Sequence, residues 1–155
     1  MTERSVTHAT FVIDRTYAAR PARVFAAFAD PEIKARWSSC HEEWARPESD
    51  FRVGGFERGG GGDRDGPRWS VETLYQDIVP DQRIVFSYAM DRDGVRISAS
   101  LTTIEFRPDG AGTRLVLTEM GAYLDGHDIP AQREHGTREG LEALARELAR
   151  QSADA

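Results

Sequence analysis

One cysteine, Cys40, is all the thiol chemistry the 155 residues offer, so no disulfide can close within the chain and stability is expected to rest on the core. No apolar run approaches the roughly 18 residues that a membrane-spanning helix needs. The opening stretch, MTERSVTHATFVID, lacks a basic segment followed by an apolar one, so there is no sign of a secretory leader and the cytoplasm is the expected location. Positive charge is in short supply. A net charge of −6 and a pI near 5.2 create a field that repels nucleic-acid backbones and anionic lipid, and neither is expected as a partner. Internal repeats and coiled-coil heptads are also missing, and the length suits a single domain over residues 1–155.

Familiar catalytic patterns are missing too. No serine sits in a G-x-S-x-G elbow, so a hydrolase triad of that kind is not expected. Cys40 and His41 are neighbours, but no second cysteine exists, and adjacent residues in an extended segment point opposite ways. Neither a metal nor a cofactor is therefore expected. GGGGDRDGP, residues 59–67, lacks the Lys-Ser/Thr ending of a phosphate-binding loop and is not followed by a helical pattern, so it is expected to be a flexible loop.

What is present reads as one strand, two short helices, a meander of strands and one long helix. Phe11 and Ile13 alternate with Thr10, Val12 and Asp14, which predicts a strand over about residues 9–17. Pro21 opens a helix with Val24, Phe25 and Phe28 on one face, and Asp30-Pro31 interrupts it before PEIKARW. FRVGGFER predicts a hairpin turning at Gly54-Gly55, and Asp93-Gly94 predicts another. RIVFSYAM puts Ile84, Phe86, Tyr88 and Met90 on one face, while TRLVLTEMG makes the last strand. Sequential hairpins build an antiparallel sheet of about six or seven strands. A single amphipathic helix can cover one face of such a sheet, which curls around it and leaves a cavity. The expected class is α+β.

The helix is expected from Asp128, acting as a cap, to Arg150, with Leu141, Leu144 and Leu148 on one stripe. Glu139, Glu142, Arg146, Glu147 and Arg150 read as its solvated face. Gly136 and Gly140 extend the stripe at a cost of roughly 1 kcal/mol each relative to Ala. Two accounts stay open: close backbone packing on the sheet, or room for a ligand beneath the helix.

Glu119 shares a parity with Leu115 and Leu117, so it faces the helix if they do. A buried carboxylate needs a partner, with His127, His135 or an arginine as candidates, or a raised pKa; the alternative is a solvated strand end. Trp37, Phe51, Phe56, Trp69, Phe86, Tyr88 and Tyr123 are the large residues expected to face the cavity or to serve as core. With Glu119, Gly136, Gly140 and Leu144 they form the candidate ligand-binding set. No residue is assigned a catalytic role.

Several stretches together resemble one family. They are RPARVFAAFADPEIKARWSS, with Arg20 where a small residue usually precedes the proline, the VGG turn at Val53, DIVPDQRIVFSY, GTRLVLTEMG and the final helix. The combination resembles the SRPBCC superfamily, in the branch homologous to the C-terminal domain of the activator of heat-shock-protein ATPase. The resemblance covers about residues 7–150 and implies a helix-grip fold. Eukaryotic activators resemble two-domain proteins, and no counterpart of their N-terminal domain occurs here, so a cochaperone role is not expected. The leading expectation is binding of a small apolar or amphipathic molecule between sheet and helix. A cyclase- or dehydratase-like enzyme using the same cavity, and a ligand-free stress-response interaction module, are the alternatives. A homodimer is compatible with the sequence.

Overall fold

The computed structural model describes residues 3–39, 41–45 and 47–153, so Cys40 lies outside the described residues. In chain order the elements are β1 (Val6–Tyr17), α1 (Pro21–Ala29), α2 (Pro31–Trp37), β2 (Glu48–Ser49), β3 (Phe56–Gly61), β4 (Trp69–Val79), β5 (Arg83–Arg92), β6 (Val95–Asp109), β7 (Gly112–Leu124) and α3 (Pro130–Ala153). The seven strands form one antiparallel sheet in the order β1-β7-β6-β5-β4-β3-β2. The fold is α+β, a curved sheet gripping α3, as the alternation of the strands predicts. No helix among the described residues is long and apolar enough to cross a membrane.

Local chemistry explains most boundaries. Asp30 is extended at the end of α1, and its carboxylate accepts the Glu32 N–H at 2.9 Å, so one residue stops a helix and caps the next. Asp93 and Gly94 take φ values of 51° and 79°, which is the positive-φ pair that a two-residue hairpin between β5 and β6 requires.

The glycine-rich stretch departs from expectation. Gly59 to Gly61 belong to β3 and pair with β4, and the segment before β2 runs alongside them: Glu43 N–H donates to Gly62 at 2.8 Å and Ala45 N–H to Gly60 at 3.0 Å. A Cβ on Gly61 would stand 2.0 Å from the Glu43 carbonyl oxygen. These glycines serve a close backbone approach, not a flexible connection. At the preceding turn only Gly54 has positive φ, and residues 50–55 form a wider loop than a two-residue hairpin.

The apolar core lies where α1 and the second half of α3 press on the sheet. Val24, Phe25 and Phe28 of α1, Ile13, Ile84, Ile104, Phe106, Leu115 and Leu117 of the sheet, and Leu141, Leu144 and Leu148 of α3 are all buried together. Edge-to-face aromatic contacts run through it in a chain, Trp37 to Phe28 to Phe106 to Phe25 to Phe51 to Tyr75 to Phe86, with centroid separations of 4.9–6.2 Å. Lys34 ties α2 to β3 through Glu57 at 3.0 Å.

Candidate functional site

The register of the sheet builds the site row by row, because residues directly opposite in an antiparallel ladder share a face. One inward row is Ile84, Ile104, Leu117 and Ile13. The next is Phe86, Thr102, Glu119 and Phe11. After it come Tyr88, Ser100, Gly121 and Ala9, and then Met90, Ser98 and Tyr123. The inner face therefore changes from apolar to polar within one row.

Glu119 is 3% exposed, so the solvated alternative does not hold. The Thr102 hydroxyl donates to its Oε1 at 2.8 Å and the Tyr88 hydroxyl to its Oε2 at 2.8 Å. Neither His127 nor His135 supplies the partner. Tyr88 in turn accepts from Arg133 Nη1 at 2.9 Å, and that guanidinium nitrogen stands 4.0 Å from Glu119 Oε2. Desolvation pushes the Glu119 carboxyl above the ordinary carboxylate value, against the two hydroxyl donors and Arg133, which pull it down.

Arg133, near the start of α3, is the residue sequence reasoning missed. It is buried, and its Nη2 reaches Ser98 Oγ at 2.7 Å and Asp128 Oδ2 at 2.6 Å, with the Met90 sulfur at 3.4 Å. Its guanidinium also stands 5.6 Å from the Tyr88 ring centroid and 5.4 Å from that of Tyr123. Burial works against its charge, but Tyr88, Asp128 and Glu119 outweigh this and hold it protonated. Asp128 thus anchors the arginine; its other oxygen accepts the adjacent Ile129 N–H, and the first helical bond runs from Arg133 N–H to the Ile129 carbonyl. A signal was present. The stripe Leu148, Leu144, Leu141 continued backwards passes through Thr137 to Arg133. Similarly, Ser98, Ser100 and Thr102 face inward while Leu101 is exposed, so the parity that looks apolar along this part of β6 is the outer one.

Gly136 and Gly140 lie on one flank of α3. The opposite flank meets β1, where the Tyr17 hydroxyl donates to the Leu141 carbonyl at 3.0 Å and Arg15 pairs with Glu142 at 3.1 Å. Helical spacing puts both glycines on the side of Glu147, which meets Arg36 of α2 at 3.7 Å. A Cβ on either glycine would meet nothing within 4 Å. Close packing on the sheet is therefore not their reason. Opposite this flank, Phe86, Tyr88 and Met90 face inward yet remain half-buried, unlike Ile84 in the closed row before them.

The remaining expected residues separate. Leu144 is wholly buried in the core, and Phe51 packs between Phe25 and Tyr75. Trp37 packs on Phe28 and donates its indole N–H to the Ala27 carbonyl at 2.9 Å. Trp69 lies at the far rim, stacked on His41 at 6.0 Å with Arg92 over it. Phe56 pairs with the exposed Leu74, so it is on the outer face with Arg58 over its ring. Glu147 is buried against Arg36, Arg150 and Gln151, not solvated. The structure therefore brings together Phe86, Tyr88, Glu119 and Tyr123 around Arg133, and leaves both glycines without a neighbour.

Among the described residues no group of three or more His, Cys, Asp or Glu side chains could hold a metal ion. Clefts of about 560 Å³, beside Arg83, Glu105 and Arg107, and of about 240 Å³, beside Ala19 and Leu148, contain neither glycine and none of Phe86, Tyr88, Glu119 and Tyr123.

The same architecture recurs in solved structures. An uncharacterised protein from Rhizobium leguminosarum is 44% identical with a TM-score of 0.91, over 96% of this chain and 99% of that one. The Mll3558 protein from Rhizobium loti is 52% identical with a TM-score of 0.87, over 92% and 99%. Protein CV1439 from Chromobacterium violaceum is 27% identical with a TM-score of 0.73, over 88% and 94%. No curated protein matches the chain. The model of one family, described as Activator of Hsp90 ATPase homolog 1-like protein, matches residues 18–152, and to that family this chain belongs.

Proposed function

We propose that the protein binds a small amphipathic molecule in the groove between the glycine flank of α3 and the inner face of β5. The observation that carries this reading is the open space in front of Gly136 and Gly140, opposite inward-facing residues of β5 that remain half-buried although Arg133 lies over Tyr88 and Met90. Phe86 offers an apolar wall, and the Arg133, Tyr88 and Glu119 network offers a polar end. The family and its solved relatives fit such a role without specifying a ligand. No membrane partner is invoked, and a cytoplasmic site of action goes with the reading.

Gly140→Leu tests it. The side chain enters empty space, so the variant should fold while displacement of a naphthalene-based fluorescent probe, and co-purifying ligand seen by native mass spectrometry, should be lost. Unchanged binding by Gly140→Leu, or only bare protein and no probe binding in the parent, sinks the reading.

A second reading rests on the 2.8 Å bond between the Tyr88 hydroxyl and Glu119. A carboxyl shifted upward next to a phenol could move a proton on a ligand in the same groove, as a cyclase or dehydratase requires. Turnover that survives Glu119→Gln removes it.

A further inference from the structure

Two hydroxyls in the polar half have no partner among the described residues. Ser100 is 6% exposed and Tyr123 is 2% exposed, yet Ser100 Oγ and the Tyr123 hydroxyl make no hydrogen bond. Both belong to one spot. A Cβ on Gly121 would lie 3.1 Å from Ser100 Oγ and 3.1 Å from Tyr123 Cζ, so the tyrosine ring lies over the missing side chain with the serine beside it. Ser100 also stands directly across from Tyr88, the inward residue of the groove wall. A buried hydroxyl without a partner costs stability, and two beside the same glycine call for a partner that the chain does not supply.

The surroundings narrow its chemistry. Both oxygens of Glu119 already accept a hydroxyl, so the O–H groups of Ser100 and Tyr123, each with a proton to donate, do not find their acceptor there. The Arg133 charge is already met by Asp128 at 2.6 Å with Glu119 at 4.0 Å, so an anion would have no counter-ion in a buried place. We propose that the molecule bound in the α3 groove carries one neutral carbonyl oxygen on an otherwise apolar frame, accepting hydrogen bonds from the Ser100 and Tyr123 hydroxyls. This rests on the binding role proposed above and names the ligand class.

Four naphthalenes that differ in one substituent test it by calorimetric titration: acetonaphthone, ethylnaphthalene, naphthoate and naphthylmethylamine. The parent protein should bind the ketone at least about tenfold more tightly than the two ions. Tyr123→Phe and Ser100→Ala should each weaken the ketone by about tenfold and leave ethylnaphthalene unchanged. Since each variant deletes an unsatisfied hydroxyl, both should melt at or above the parent temperature, a result that a purely structural role does not give. Equal binding of all four probes, or an unchanged ketone affinity in both variants, overturns the carbonyl assignment while leaving the groove reading standing. Lower melting temperatures in both variants, with no change in ketone affinity, assign the hydroxyls to a structural water and overturn it too. Failure of every probe, ethylnaphthalene included, overturns the groove reading itself.

Discussion

The same inner face of the same sheet behaves as two materials. In the row of Ile84, Ile104, Leu117 and Ile13, each residue is at most 4% exposed, and α1 and the leucines of α3 press on it from above. Two rows further on, Tyr88, Ser100 and Gly121 sit in unbroken register with it, but there a guanidinium takes the place of the leucines, and the wall on β5 is half open. The apolar half is held by area removed from water, which is tolerant of shape. The polar half is held around Arg133, Tyr88, Glu119 and Thr102 by donors and acceptors that satisfy one another, and this network is intolerant of losing a member. A fold needs only the first kind of region, so the second marks where binding is expected.

Removing the hub should show the largest effect. Arg133→Met strips the counter-charge from half-buried Asp128 and the donor from Tyr88 and Ser98, and should cost about 3–5 kcal/mol in urea unfolding. Leu144→Ala in the apolar half should cost a similar amount, about 3 kcal/mol. Conservative changes separate the halves. Leu144→Met should lose less than about 1.5 kcal/mol. Arg133→Lys cannot reach Tyr88, Ser98 and Asp128 with one ammonium and should remain well below the parent. An Arg133→Lys midpoint equal to the parent would remove the distinction.

A smaller effect compares successive inward positions of one strand, Thr102 and Ile104 of β6. Ile104→Val deletes one methyl group and should cost about 1 kcal/mol. Thr102→Val keeps the volume but takes a donor from Glu119, and should cost about 1–3 kcal/mol. Should Thr102→Val prove neutral, Glu119 has another partner and the network is not closed.

The pH dependence follows from the direction of the Glu119 shift. Its carboxyl is held above the ordinary value, so the folded state binds its proton more tightly than the unfolded state does. The associated stability is full below the ordinary carboxylate value and is lost as pH rises through the raised one. Glu119→Gln has no such loss. Melting curves between about pH 4 and about pH 8 should show the glutamine variant gaining on the parent as pH rises. A difference that stays constant with pH breaks this account.

How much of this could be read from the residues also divides between the two halves. Ile84 and Phe86 announce their face by alternation, and the Asp30-Pro31 break and Asp93-Gly94 turn were legible because each depends on local backbone chemistry. Glu119 was legible because it shares a parity with two leucines. Arg133 was not, since an arginine between Gln132 and Glu134 looks solvated until the partners from β5 and β6 are placed over it. Phe56 was misplaced for a related reason. Its face depends on pairing with Leu74 across a loop of residues 50–55, which its size and aromatic character do not reveal. Non-local pairing decides both cases.

The smallest predicted effect concerns the edge between the halves. Gly136 is exposed in the interior of α3, with ordinary helical φ and nothing within 4 Å of the place a Cβ would take. A methyl group there restricts the unfolded chain and favours helix without touching anything, so Gly136→Ala should stabilise the protein by up to about 1 kcal/mol. Gly140→Ala meets equally empty space and should gain as much. If both gain stability while ethylnaphthalene binds more weakly, the glycines are kept for access to the groove, at the expense of the helix that carries them. If the alanines cost stability instead, the flank is packed in solution and the groove does not exist as described.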